Sequence, residues 1–163
     1  MNTALSHQWN QTVGENDTVY ILGDWCFYGP NNVQKVADHM NSLNGMKKFV
    51  FGNHDHKGMI RKLVKDGLVP KLEILGDRAE IKSFDSKGNK YDITLCHYAH
   101  RTWNKSHYGS MMLYGHSHGT LPGLGRSMDV GVDVKHRLYG DWAPFSIDQI
   151  IDQIGNIPIH NPV

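Results

Sequence analysis

The sequence predicts an α/β fold that carries its chemistry at the ends of its strands. The first half alternates short β-branched runs with amphipathic, capped stretches, as strands and helices in turn should. The second half is richer in strand-like runs, two of them joined by a tight polar turn. Four separate strand ends deliver Asp, Asn-His-Asp, His and His-x-His, where α/β folds place their sites.

The elements follow in order. Met1, Leu5, Trp9 and Val13 recur every four residues, the apolar stripe of a helix, yet nothing precedes that helix to cap it. "GEND" is a turn. "TVYILGD" is a short buried strand that carries Asp24 at its tip. "NNVQKVADHMNSLNG" supplies a helix with an Asn cap, a stripe of Val33, Val36, Ala37, Met40 and Leu43, and Gly45 as its stop. "MKKFVFGNHD" is a strand running into a loop, with Gly52 permitting a tight turn. "MIRKLVKDG" is a short helix with a Gly stop. "RAEIKSFDSKGNKYDITLCHY" is a pair of strands joined by Ser-Lys-Gly-Asn, the second ending at His97. "SMMLYGHSHG" is an apolar strand ending in Gly and histidines, "RSMDVGVDV" reads as a further strand, and "APFSIDQIIDQI" as a late helix or turn with Pro near its start.

At 163 residues, length predicts a single domain spanning 1–163 with a real core. The net charge of +1 gives no indication of nucleic acid, which stays among the candidate partners only by other routes, so any anion must be held by a local site. Two cysteines, Cys26 and Cys96, make no disulfide framework, and no apolar run is long enough for a signal segment or a membrane span. A reducing cytoplasm is the expected home, with no membrane partner. Seven of the eleven histidines fall between His54 and His118.

Asp24, Asn53, His97, His116 and His118 are oxygen and imidazole donors without thiolates, a set suited to Mn, Fe, Zn or Ni in a catalytic site rather than to a closed Cys-zinc site. In an extended segment i and i+2 face one side, so His116 and His118 are expected to point into one cleft. Asp24 is the candidate bridge between two ions, whose clamp on a phosphate would polarise it and acidify a bound water. His54, next to a candidate ligand, could protonate a leaving alcohol, with Asp55 orienting it through its other ring nitrogen.

"GD" at 23–24, "GNHD" at 52–55, the His of "LCHY" and "GHSH" at 115–118, in that order, resemble the motifs of the calcineurin-like metallophosphoesterases, and nearly the whole chain is similar to the small bacterial and phage members. The resemblance implies two mixed sheets packed as a sandwich flanked by helices, a four-layer αββα arrangement, with a dinuclear site where the strand ends meet. One metal would take Asp24, Asn53, His97 and His116; the other would share Asp24 and take His118. Family members begin with a strand ending in Asp-x-His, both residues ligating the second metal, and no Asp-x-His stands before Gly23. "MNTALSHQWN" resembles the helix after that strand, so the domain is expected to be N-terminally shortened, with one or two ions per chain and an exposed sheet edge through which it could self-associate.

The expected function is hydrolysis of a phosphomonoester or phosphodiester, of nucleotide type among the candidates, by metal-activated hydroxide with His54 assisting. The alternative is a shortened, weak or inactive relative that binds a metal, a nucleotide or a protein. Trp25, Phe27 and Tyr28 are read as core rather than as a base-stacking wall. Cys26 and Cys96 are read as small apolar packing groups. His56, His100 and His107 are read as solvated rim residues, Arg101 and Lys105 as loop cations that could steer an anion, and His7, His39, His136 and His160 carry no role.

Overall fold

A computed structural model describes residues 2–159, so Met1 of the helical stripe and His160 lie outside the described residues. Two sheets carry the fold. The first has strands β1 (Thr18–Leu22), β2 (Met46–Val50) and β3 (Leu72–Gly76) in the order β1-β2-β3, parallel throughout. The second has β4 (Arg78–Phe84), β5 (Lys90–Cys96), β6 (Met111–Tyr114) and β7 (Ser127–Asp129) in chain order; β4 and β5 form an antiparallel hairpin, and the remaining pairs are parallel. Among the described residues five α-helices accompany them: α1 (Asn2–Thr12), α2 (Val33–Asn41), α3 (Lys57–Lys65), α4 (Val132–Tyr139) and α5 (Ile147–Ile154). This is the two-sheet α/β sandwich expected.

Period-two alternation sorts each strand between two cores. On the first sheet Ile21, Phe49 and Phe51 face α2 and α3, packing with Val36, Ala37, Met40, Met59, Ile60 and Leu63. Their neighbours Tyr20, Leu22, Val50 and Leu75 face the second sheet and meet Ile93, Leu95, Met111, Leu113 and Met128, with Ile150 and Ile154 of α5 in the same cluster. Fully burying a side chain such as Phe49 is worth about 1.5–3 kcal/mol. On the far face of the second sheet Cys96, Met112 and Tyr114 are covered by Trp103, from the loop between β5 and β6.

Helix α1 docks through its Leu5–Trp9–Val13 side: Val13 is buried, Trp9 Nε1 donates to the carbonyl of Asn44 at 3.0 Å, and the Trp9 ring meets Trp25 edge-on. Ser146 and Gln149 form a full capping box on α5, which starts three residues beyond Pro144. Two parts of the chain depart from expectation. The short run Leu72–Gly76, between a helix stop and the hairpin, is a third strand of the first sheet that its five residues do not announce. The run "RSMDVGVDV" is not one strand. It stops at Asp129, whose carboxylate accepts from the amides of Gly119 and Gly131, and the chain then turns into α4.

The topology gathers the expected loops at one place. Because β1 and β2 are parallel with Leu22 opposite Val50, Gly23-Asp24 and Gly52-Asn53 emerge side by side. Parallel β5 and β6 likewise release His97 and Gly115-His116 together, and the Gly115 amide donates to the His97 carbonyl at 3.1 Å. Strand β1 is an edge of its sheet and pairs only with β2 among the described residues.

Candidate metal centre

The site is built around His97, which is 1% exposed. Its Nδ1 lies 2.7 Å from the carbonyl oxygen of Leu22. A carbonyl only accepts, so Nδ1 carries the hydrogen, and Nε2 of the neutral ring is left as a bare lone pair. Nε2 in turn lies 2.9 Å from Asn53 Oδ1, 3.2 Å from Asp24 Oδ2 and 3.2 Å from His116 Nδ1. The donor atoms of Asp24, His97 and His116 all lie within 4.8 Å of one another.

With the His97 ring neutral, the atoms around its Nε2 are a crowd of electron-pair donors, an arrangement that a shared proton or a bound cation would relieve. Ligands about 2.1 Å from an ion are separated by roughly 3.0 Å at right angles and roughly 3.4 Å at the tetrahedral angle. The spacings around Nε2 agree with the first and approach the second. A carbonyl on the far nitrogen of the ligating histidine is also the outer partner such a site uses to fix the tautomer. The residues present therefore fit a divalent ion bound by Asp24, Asn53, His97 and His116. Their O/N character suits Mn, Fe, Zn or Ni.

Backbone conformation at the site is unusual. Asp24, His116 and His118 adopt φ of 53°, 62° and 50°, a region that non-glycine residues seldom enter and that collects at functional sites. Glycines make the close approach feasible. A Cβ on Gly52 would stand 2.3 Å from Asp24 Oδ1 and 2.8 Å from His97 Cε1, and one on Gly23 would stand 2.4 Å from the Gly52 nitrogen. Two loops from one sheet and a histidine from the other thus meet without side chains between them.

Asp55 holds those loops together. Its Oδ2 accepts from the amides of Asp24 at 2.9 Å and Gly52 at 2.7 Å, and its Oδ1 accepts from Trp25 at 3.0 Å. The expectation that Asp55 orients His54 is corrected: both its oxygens are directed at backbone. The amide of His54 donates to Asp24 Oδ1 at 2.9 Å, and the His54 ring packs against Phe27.

His118 also departs from expectation. It is not part of the group around His97, because residues 116–118 are not extended and the i, i+2 rule fails at left-handed backbone. Its Nδ1 lies 2.7 Å from Asp133 Oδ2 on α4. Asp133 was not singled out in the sequence, nor was Asp129, which is buried and accepts from Ser117 Oγ at 2.6 Å and from the Gly119 amide at 3.0 Å. Asp129 holds the His116–His118 loop as Asp55 holds the other two. Only the tip of "SMD" offered a signal for it, and its period reads as ordinary strand.

Around this centre Trp25 and Tyr28 are core, as expected, but Phe27 is 82% exposed beside His54. Tyr98 lies against the rings of both His97 and His116. Cys26 and Cys96 pack with the apolar clusters as free thiols, and burial pushes the Cys26 thiol above its ordinary pKa, away from the thiolate a metal would need. Lys105 pairs with Asp92, while His56, His107 and Arg101 are exposed and His100 is half-buried. His39 lies 3.0 Å from Ser6 Oγ, and His136 stacks on Trp142.

No family model matches the chain. It is 25% identical to the Gene 66 protein of Mycobacterium phage L5 over 96% of its own length and 82% of that protein's. It is 40% identical to an uncharacterized protein of Methanocaldococcus jannaschii over 58 residues, 36% of this chain and 32% of that one. A crystal structure of a protein of unknown function from Aquifex aeolicus superposes with a TM-score of 0.62 at 18% identity, covering 94% of this chain and 84% of that one. That likeness shows the fold. No helix among the described residues is long and apolar enough to cross a membrane.

Proposed function

We propose that this chain is a metal-dependent phosphoesterase that hydrolyses a phosphomonoester or phosphodiester, nucleotides being among the candidate substrates, in the cytoplasm. The observation that carries the reading is the convergence of Asp24, Asn53 and His116 on the bare Nε2 of His97, itself pinned through Nδ1 to Leu22. The resemblance of the ordered Gly-Asp, Gly-Asn-His-Asp, His and Gly-His-Ser-His motifs to those of the calcineurin-like metallophosphoesterases supports phosphate chemistry over simple metal storage. When bound, a divalent ion there supplies a Lewis acid that polarises phosphoryl oxygen and lowers the pKa of water.

The chain's own residues do the rest. Asp24 offers Oδ2 to the cage while its Oδ1 is fixed by the His54 amide, so one carboxylate ties the ligand loop to the candidate proton donor. His54, exposed on that loop, would give a proton to a leaving alkoxide, an assistance typically worth 10²–10⁴-fold. Asp55 keeps the loops of β1 and β2 in register, and Asp129 does the same for the loop of β6.

A second reading, a metal-, nucleotide- or protein-binding module with little turnover, is favoured by one observation, the open edge of β1, which could take a strand from a partner or a second copy. Elemental analysis of the purified chain, with nitrophenyl phosphate and bis-nitrophenyl phosphate assays in added Mn²⁺, separates the two. Bound metal with turnover supports the enzyme; bound metal without turnover on either ester supports the module.

A further inference from the structure

Three rings at the centre form a closed triangle. The centroids of His97 and Tyr98 are 5.0 Å apart, those of His97 and His116 5.0 Å, and those of Tyr98 and His116 4.7 Å, with interplanar angles of 75°, 67° and 68°. Every pair is therefore edge-to-face, which sets the positive rim of one ring against the negative face of another. His97 is the immobile corner, buried and held through Nδ1 by the Leu22 carbonyl. Tyr98 and His116 complete the triangle from the loops that follow β5 and β6.

His116 needs such a corner. Its ring is exposed, its backbone is left-handed at a φ of 62°, and the atom it sets 3.2 Å from His97 Nε2 is Nδ1. Nδ1 is bonded directly to Cγ, so a change of χ1 rotamer carries it out of the cage. When Nδ1 offers its lone pair the hydrogen is on Nε2, and a ligating histidine commonly has that N–H tied to a carboxylate or a carbonyl. Among the described residues no protein group accepts from His116 Nε2. Packing is left to fix the ring. Tyr98 is 47% exposed, so its ring is not spent on the core, and the rings it meets are those of His97 and His116. One edge-to-face pair biases a rotamer population by about 2–13-fold.

We propose that Tyr98 is the positioning residue of His116: its ring does the work of the hydrogen-bond partner that His116 Nε2 lacks and holds Nδ1 against His97 Nε2 before any ion arrives. The hold on the ring stands on the ring geometry alone; its use for a divalent ion rests on the metal-site reading above.

Three-bond NMR couplings across χ1 of His116, in metal-free protein at about pH 8 where imidazole is neutral, read the hold directly. The His116 signals are identified by their loss in His116→Gln. The wild type should show one rotamer, and Tyr98→Phe, which keeps the ring, should match it. Tyr98→Ala should show averaged couplings, as should Tyr98→Leu, which fills the loop without a ring and serves if the alanine variant does not fold. A single rotamer in both ringless variants would mean that the contact with His97 suffices, and it overturns the proposal; so does averaging in the wild type. In a calorimetric Zn²⁺ titration the ringless variants should bind 10–100-fold more weakly than the wild type and Tyr98→Phe. Equal affinities, with a raised KM for nitrophenyl phosphate in Tyr98→Ala, would make Tyr98 a substrate contact instead and overturn the positioning role. A wild type that keeps one rotamer yet binds no Zn²⁺ would remove the metal-site reading and leave Tyr98 its hold on the ring.

Discussion

His97 and Leu22 lie on different sheets, and the 2.7 Å contact between Nδ1 of one and the carbonyl oxygen of the other joins those sheets at the point where the ligands meet. The contact determines which ring nitrogen faces Asp24. In Asp24→Asn the carboxamide nitrogen can donate to His97 Nε2, turning a meeting of lone pairs into a hydrogen bond worth about 1 kcal/mol. The metal-free variant should therefore match or exceed the wild type in thermal stability. Added Mn²⁺ or Zn²⁺ should raise the melting temperature of the wild type by several degrees, as a ligand at 100 times its Kd contributes about 2.7 kcal/mol, and should leave Asp24→Asn where it was. An equal rise in both would remove Asp24 from the ligand set.

Asp55 is expected to matter through geometry. Three amides converge on its carboxylate, so Asp55→Asn turns a donor toward donors and Asp55→Ala leaves the amides without acceptors. Each variant should lose about 1–3 kcal/mol in urea unfolding and bind metal 10–100-fold more weakly. Wild-type metal affinity in a destabilised Asp55→Ala would show that the loops keep their register without it.

His54→Ala should leave metal content unchanged, because the His54 amide, which the substitution retains, is what contacts Asp24. Turnover of an alkyl phosphate ester, whose alkoxide needs a proton to leave, should fall by 10²–10⁴-fold, and turnover of a nitrophenyl ester, whose leaving group needs none, should fall least. Unaltered turnover on a poor leaving group would take His54 out of the mechanism.

Stability should also report on His39, which is not among the candidate ligands. Burial beside Trp25 and α1 pushes its pKa below the ordinary histidine value. The folded state then binds fewer protons than the unfolded one between the two values, so stability is complete above the unfolded value of about 6.5 and is lost as the pH falls through the folded value. The urea midpoint should drop from pH 7 to pH 5, and His39→Gln should flatten that slope. Identical slopes in the two proteins would assign the acid sensitivity elsewhere.

Much of this was legible without coordinates. Strong periodicity located β1, β2, the β4–β5 hairpin, α2 and α3, and the order of Asp24, Asn53, His97 and His116 along the chain announced a cluster before any distance was known. Short or locally ambiguous elements were not legible. Five residues from Leu72 look the same in a loop and in a buried strand, and "MDVGVDV" alternates like a strand although Asp129 ends the ladder and α4 follows. The i, i+2 reading of His116 and His118 assumed extended backbone, and both residues are left-handed.

By itself the sequence determined the chemistry available to this protein: oxygen and imidazole donors without thiolates, at strand ends, with glycines beside them. Composition and local periodicity depend on nearest neighbours along the chain, and those properties follow from them. Only the tertiary structure decided which donors share a point in space. Parallel pairing brings Gly23 against Gly52, the meeting of two sheets tethers His97 to Leu22, and Asp55, Asp129 and Asp133 prove to be partners of loops 31, 12 and 15 residues away in the chain. Such partnerships arise from packing and long-range hydrogen bonds, which no local pattern encodes.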